Sequence, residues 1–257
     1  YDNAQLLGLY ARAGRVYDDP WLDDVARATA DFMLAELGTE QGAFASALDA
    51  DSEGAEGIYY VWTPQQLHDA LGPEDGDWAA ELLSVTPEGT FEYGASTLQL
   101  RQDPDNPARW ASVRRRLLAA RSERVPPDRD DKVVAAWNGL AISSLLDASH
   151  LDPRYREAAI RCGEFLRANH LRGSSLLRVS RDGLVGSHAG VLEDYGVVAK
   201  SFCDLAAATA DASWLRDAET LLQRVFADFA APDGGFFDTA ADAEALVVRP
   251  RDLGDNA

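Results

Sequence analysis

Helical periodicity that restarts on one short motif constrains this chain more than any other feature. Apolar residues recur three and four apart through most of it. This predicts helices at about 2–14, 20–37, 64–71, 76–84, 107–122, 131–149, 153–170, 191–209 and 213–230. Within 131–149, Val134, Trp137, Ala141, Leu145 and Ala148 form one stripe, and Asp130 and Asp131 stand where acids favour a helix N-terminus. Three helices open on a polar or aromatic pair followed by a small residue: Asp2-Asn3-Ala4, Trp137-Asn138-Gly139 and Asp194-Tyr195-Gly196. Between 17 and 19 residues beyond the middle position of each, an aromatic opens a second helix: Trp21, Tyr155 and Trp214. A Gly/Ser-rich connection follows, at Gly42-Ala43-Phe44, Gly173-Ser174-Ser175-Leu176 and Gly234-Gly235-Phe236-Phe237, and Asp255-Asn256-Ala257 starts the motif again. Extended pieces are expected only in connections, at 57–62, 97–100, 175–180 and 235–238. Strand and helix do not alternate as a parallel sheet requires.

Helical hairpins repeating at about 60 residues form either an open solenoid or a closed α/α toroid. The strand-bearing connections and the small third residue, which lets helix starts crowd a narrow axis, favour the toroid. The expected fold is therefore all-α, an incomplete α/α toroid with short β pieces in its connections. A degenerate hairpin and an insertion near 63–122 fill the gap between the first and second motifs. The chain opens on Tyr1 and reads as part of a longer protein.

Composition excludes several function classes. The 43 acids against 24 bases give a net charge of −19, which repels phosphate backbones and anionic membranes, so neither nucleic acid nor membrane is an expected partner. No run approaches the roughly 20 apolar residues of a membrane span, and no secretory leader is expected. Cys162 and Cys203 lack CxxC spacing and read as buried thiols of a cytoplasmic protein. Of the 24 basic residues 22 are Arg, the usage of a high-GC bacterial source. The arginines between Arg109 and Arg124 read as a solvated helix face paired with acids.

Several strings together resemble one family. They are Tyr1-Asp2-Asn3-Ala4, Leu48-Asp49-Ala50-Asp51-Ser52-Glu53-Gly54 with Tyr60-Val61-Trp62-Thr63, and Asp130-Asp131-Lys132-Val133 with Ala136-Trp137-Asn138-Gly139-Leu140. Leu192-Glu193-Asp194-Tyr195, Gly234-Gly235-Phe236-Phe237-Asp238-Thr239 and Arg249-Pro250 with Asp252 complete the set. The chain is similar to the YyaL-like thioredoxin-domain-containing proteins, which include spermatogenesis-associated thioredoxin-like proteins. That resemblance implies a thioredoxin-like domain followed by a six-hairpin toroid, similar to N-acylglucosamine epimerases and six-hairpin glycosidases. Residues 1–257 would then be part of the toroid, without the thioredoxin-like domain and without the toroid's C-terminal remainder. The attached thioredoxin-like domain is an implied partner, and its redox chemistry maps onto no residue here.

Four groups of residues are candidates for chemistry. Tyr1 and Asp2 start the first inner helix. Asp131, Trp137 and Asn138 start the second, with Trp137 offering an apolar face to a sugar ring. Glu193, Asp194 and Tyr195 start the third, and His188 precedes them as a candidate proton carrier. By register, Asp2, Asp131 with Trp137, and Glu193 with Asp194 should face one cavity. The fourth group is the loop Asp49-x-Asp51-x-Glu53-Gly54. It opens like a calcium loop but has Tyr60 at position twelve, where a bidentate Glu is needed, so it suits sugar hydroxyls or a structural turn better. The catalytic candidates are thus Asp194, Glu193, His188 and Asp131. Those for substrate binding are Tyr1, Asp2, Asp49, Asp51, Glu53, Trp137, Asn138 and Tyr195. No metal or cofactor is expected. His68, His150 and His170, at helix ends or exposed-looking faces, read as structural. Two functions fit: a carbohydrate-binding or carbohydrate-processing toroid (epimerase- or glycosidase-like), or a non-catalytic protein- or peptide-binding module serving the thioredoxin-like domain. A terpenoid-type toroid is excluded, because the chain lacks the DDxxD helical pattern it needs.

Overall fold

Four helices start on the same local chemistry, a polar cap followed by proline at the first helical position. Asp19 and Asp152 accept from the backbone N–H groups of Trp21 and Arg154, Asn106 accepts from that of Arg109, and Thr63 forms a reciprocal capping box with Gln66. A computed structural model describes residues 1–244 and 247–251. Among these it has helices α1 (Asp2–Tyr17), α2 (Pro20–Phe32, continued by a π-turn Met33–Leu37), α3 (Pro64–Leu71), α4 (Pro73–Leu82), α5 (Pro107–Ser122), α6 (Ala135–Asp147), α7 (Pro153–Asn169), α8 (Leu192–Thr209) and α9 (Ser213–Asp228). They divide between two compact units, Tyr1–Ala47 with Arg129–Ala257, and Leu48–Asp128.

In the first unit α6 packs between α1 and α8, and each of these three is backed by its hairpin partner, α2, α7 or α9. This is the hairpin arrangement of an α/α toroid. The apolar stripes meet in one core that includes Leu7, Ile142, Leu145, Tyr155, Leu166, Phe202, Leu205, Leu221 and Phe229. After each outer helix the connection turns back on itself through an antiparallel pairing: Gly38 with Phe44, Leu171–Arg172 with Ser175–Leu176, and Ala230 with Phe236. The repeated Gly-rich connections are therefore one structural element used three times. The start of the motif at Asp255 lies outside the described residues.

The structure departs from the sequence expectations in several places. Helix α6 begins at Ala135, because Lys132–Val134 pairs antiparallel with Val179–Arg181, where two β-branched valines suit a strand better than a first helical turn. Asp130 and Asp131 consequently precede the helix and do not cap it; they pair with Lys132 at 3.0 Å and Arg129 at 2.6 Å. Residues 57–60 form turns rather than a strand, with Gly57 at φ 69° and only Trp62 bridging Ser96. Cys203 is exposed, whereas Cys162 is buried and burial pushes its thiol well above the ordinary range. His170 is fully buried, with Nδ1 2.8 Å from the Leu177 carbonyl and Nε2 2.8 Å from Ser180 Oγ.

In the second unit α3, α4 and α5 enclose a core of Trp62, Leu67, Leu71, Ala79, Leu83, Val85, Val113 and Leu117. The arginine run is more than a solvated face here. Arg109 and Arg116 both bind Asp75, at 2.8 and 2.7 Å, and hydrogen bonding from Arg109 leads the contributions that hold its carboxyl below the usual range. Arg124 stacks on Trp62 at 4.0 Å and donates to the carbonyls of Ile58, Tyr59 and Val61.

Two predictions follow from the packing of the first unit. A Cβ built on Gly139 would lie 2.9 Å from Val197 Cγ1 and 3.2 Å from its backbone, whereas the equivalent Gly196 has nothing within 4 Å. Gly139→Ala should therefore destabilise by about 1–3 kcal/mol, and Gly196→Ala should stabilise by roughly 0.5–1 kcal/mol. Urea denaturation of both variants checks this, and equal signs would refute the packing argument. Burial lowers the folded-state pKa of His170 below 6.5. The unfolded chain then binds the proton that the folded chain refuses. Stability should hold above neutrality and fall as acidity rises through about pH 6.5, by up to about 1.4 kcal/mol per pH unit. His170→Gln should flatten that slope in melting curves between pH 7.5 and 5.

Candidate functional site

The three inner-helix starts of the first unit lie beside the connections, and the motif residues of α6 and α8 engage backbone. Asn138, one turn into α6, accepts the Phe44 N–H at 2.8 Å and donates to the carbonyls of Phe44 and Val134, both at 3.0 Å. The Cys162 thiol donates to the same Asn138 oxygen at 3.3 Å. At the matching position of α8, Tyr195 Oη accepts the Leu176 N–H at 2.9 Å. Phe44 and Leu176 belong to successive connections. Each motif residue thus latches an inner helix to the loop of the hairpin before it.

Asp194 performs a second latch. Its side chain is 0% exposed. One oxygen accepts the Ala136 N–H at 3.0 Å, and the other accepts the Val191 N–H at 2.9 Å and Arg178 Nη1 at 2.7 Å. A buried carboxylate with three donors is stable where an unpaired one would not be. Glu193 is exposed, 3.9 Å from the same arginine, and His188 is exposed while its backbone carbonyl accepts the Arg178 N–H at 2.9 Å. Arg178 therefore ties Glu193, Asp194 and the His188 backbone together. The sequence reading missed it, although it is the one cation inside the extended segment expected at 175–180.

The aromatic part of the site is separate from this cluster. Tyr1 and Trp137 pack ring against ring with centroids 5.3 Å apart. They line one small cavity together with Asn3, Phe44 and Asn138. Trp137 Nε1 is buried and has no hydrogen-bond partner among the described residues. A larger cleft of about 530 Å³ opens between α1, α6 and α8 and shares Ala4 with the small cavity. Its polar lining is Gln5, Arg12, Ser143, Ser144 and Lys200, and the Ser143 hydroxyl likewise has no partner among the described residues. No Asp or Glu lines this cleft.

Asp2 is exposed at the start of α1. Asp49, Asp51 and Glu53 lie in the second unit. There Asp51–Ser52 pairs with Ala55–Glu56 around a two-residue turn in which Glu53 and Gly54 both have positive φ, 53° and 79°. That is the geometry of a type I′ hairpin, and Asp49 supports it by accepting the Asp51 N–H at 3.1 Å. Among the described residues no three His, Cys, Asp or Glu side chains converge as metal ligands, and no helix is long and apolar enough to cross a membrane.

Comparison with known proteins shows what the chain is similar to. No protein-family model matches it. Human and mouse spermatogenesis-associated protein 20 are each 29% identical to it, over 309 and 307 residues that take in 100% of this chain and 39% of theirs. An uncharacterized Caenorhabditis elegans protein is 22% identical over 96% of this chain and 40% of its own length. The bacterial source expected from arginine usage is thereby corrected, since these relatives are mammalian and nematode; an Arg-for-Lys bias follows base composition and does not report lineage. Among solved structures, a D-mannose isomerase aligns with 93% of this chain and 61% of its own at 11% identity and a TM-score of 0.43, a likeness too loose to carry function. The chain spans about two fifths of the length of the curated relatives it matches, and over that span it is homologous to spermatogenesis-associated protein 20.

Proposed function

We propose that the first unit binds a carbohydrate in the cleft between α1, α6 and α8, with the Tyr1–Trp137 pair bordering the cleft through the small cavity that shares Ala4 with it. The observation that carries this reading is the combination of a tilted aromatic pair, a buried indole N–H and a buried serine hydroxyl without partners among the described residues, and a cleft volume within the range of ligand sites. Sugars present apolar ring faces edged with hydroxyls, and Gln5, Ser143 and Lys200 supply matching donors and acceptors. Asp2, Asp131 and Glu193, at or beside the helix starts, lie outside the lining of the cleft. Asp194, Asn138 and Tyr195 are positioning residues, because their polar atoms already hold the loops that frame the helix starts.

Binding fits the cleft better than hydrolysis. Glycoside hydrolysis requires two carboxyl groups flanking the bond, and the lining of the cleft has none. Where proton transfer occurs, it falls to Glu193, His188 and Asp131 outside the lining. The unit would serve a longer parent protein with an attached thioredoxin-like domain, in the reducing cytoplasm that two unpaired cysteines suit.

A thermal-shift screen against monosaccharides, amino sugars and short oligosaccharides tests the proposal. A bound sugar at about ten times its Kd should raise Tm by about 3 °C. Trp137→Ala should abolish the rise while the chain stays folded. Asn138→Ala should instead lower Tm without any ligand, because two buried backbone groups of Phe44 lose their partner, at a cost of about 2–4 kcal/mol. No rise with any sugar at tens of millimolar, or a rise that survives Trp137→Ala, would refute the sugar reading and favour a protein-binding module.

A further inference from the structure

A third cavity lies wholly within the second unit. It has a volume of about 180 Å³ and is walled by Ile58, Val61, Phe91 and Tyr93, with Glu56 and Glu92 also in its lining. No Lys, Arg or His lines it. Neither Glu56 nor Glu92 forms an ion pair among the described residues.

The loop that carries Tyr93 is built to hold that ring out. Tyr93 is 94% exposed and sits at φ 56°, ψ 30°, a left-handed conformation that costs a bulky side chain free energy. Its surroundings enforce the strain. Gly94 has φ 72°, and Gly89 has φ 76° where a Cβ would meet the Ala95 carbonyl at 2.4 Å. Ala95 receives the N–H groups of Thr90 and Phe91 at 3.0 and 2.9 Å, and Ser96 pairs with Trp62. Gly57, at φ 69°, leaves room for the Phe91 ring, which a Cβ there would approach to 3.3 Å. An exposed tyrosine kept in a strained conformation at the mouth of an apolar cavity is not accounted for by packing.

The chemistry of the walls selects the ligand. The volume lies below the roughly 300 Å³ at which drug-sized sites begin, so the cavity takes one side chain. Aromatic faces and two carboxylates together attract a cation that carries an apolar stem. The net charge of −19 draws such a group toward the surface and disfavours an anionic one. We propose that this cavity binds the side chain of a lysine or arginine presented by a polypeptide partner, with its stem against Phe91 and Tyr93 and its cation beside Glu56 and Glu92.

The test uses the full chain and three capped tripeptides, acetyl-Gly-Arg-Gly-amide, acetyl-Gly-Lys-Gly-amide and acetyl-Gly-Leu-Gly-amide. Their binding is followed by amide chemical shifts and calorimetry. The Arg and Lys peptides should move the resonances of Ile58, Phe91 and Tyr93, and should weaken as salt is raised. Tyr93→Asn tolerates the left-handed conformation, so it should keep or raise Tm while weakening the Arg peptide about 5-fold. Glu92→Gln should weaken it and reduce the salt dependence. Equal or tighter binding of the Leu peptide, shifts confined to other residues, unchanged affinity in Tyr93→Asn, or no binding by either cationic peptide would each overturn the proposal.

Discussion

Buried backbone polarity at the connections is the constraint on which the first unit depends. A chain that turns from an outer helix to the next inner helix must bury peptide groups at Phe44 and Leu176 that no regular ladder satisfies. An unpaired buried amide costs as much as several good contacts supply. The solution is a side chain one turn into the next inner helix that reaches the backbone: Asn138 for Phe44, Tyr195 for Leu176. Asp194 adds the tie from α8 to the first turn of α6 and anchors Arg178, which reaches it from the strand-bearing connection. Successive hairpins are thereby registered by hydrogen bonds as well as by the nondirectional packing of their apolar stripes.

The same motif explains how closely the inner helices approach. Gly139 follows Asn138 directly, and its missing side chain lets the backbone of α8 at Val197 come within contact distance. The polar residue and the small residue act together. One fixes the height of a helix against the neighbouring loop, and the other sets the distance to the neighbouring helix. A larger residue at the third position would push Val197 away and lengthen the Ala136–Asp194 bond, so the two roles are coupled through one stretch of backbone.

The parts of this architecture legible in the sequence are those governed by local rules. Hairpin repetition, helix spans and the openings at Pro20, Pro64, Pro107 and Pro153 follow from periodicity and from a polar cap before proline. The extended piece at 132–134 was hidden, because Val133 and Val134 fit a helical stripe as well as a strand until Val179 and Ser180 arrive from 45 residues away. His170 looked like an ordinary helix-end histidine, since nothing local reveals that the Leu177 carbonyl and the Ser180 hydroxyl close over both ring nitrogens. The candidate site was legible as a set of positions and not as roles. Repetition located Asn138, Asp194 and Tyr195, but repetition arises equally when every hairpin meets the same structural demand.

A residue type recurring at equivalent positions of a repeat answers a need that recurs, and here the recurring need is satisfying buried backbone. A ligand site breaks the repeat, because one ligand meets each hairpin differently. Trp137 is such a break: Asp2 and Asp194 occupy its place in the other motifs, and neither can stack on a ring as Trp137 does on Tyr1. Arg178 and Ser143 are others, both outside the motif and both brought to the inner-helix array by the fold. The non-equivalent residues are therefore where a ligand site is to be sought, while the repeated ones meet a structural demand that every hairpin shares.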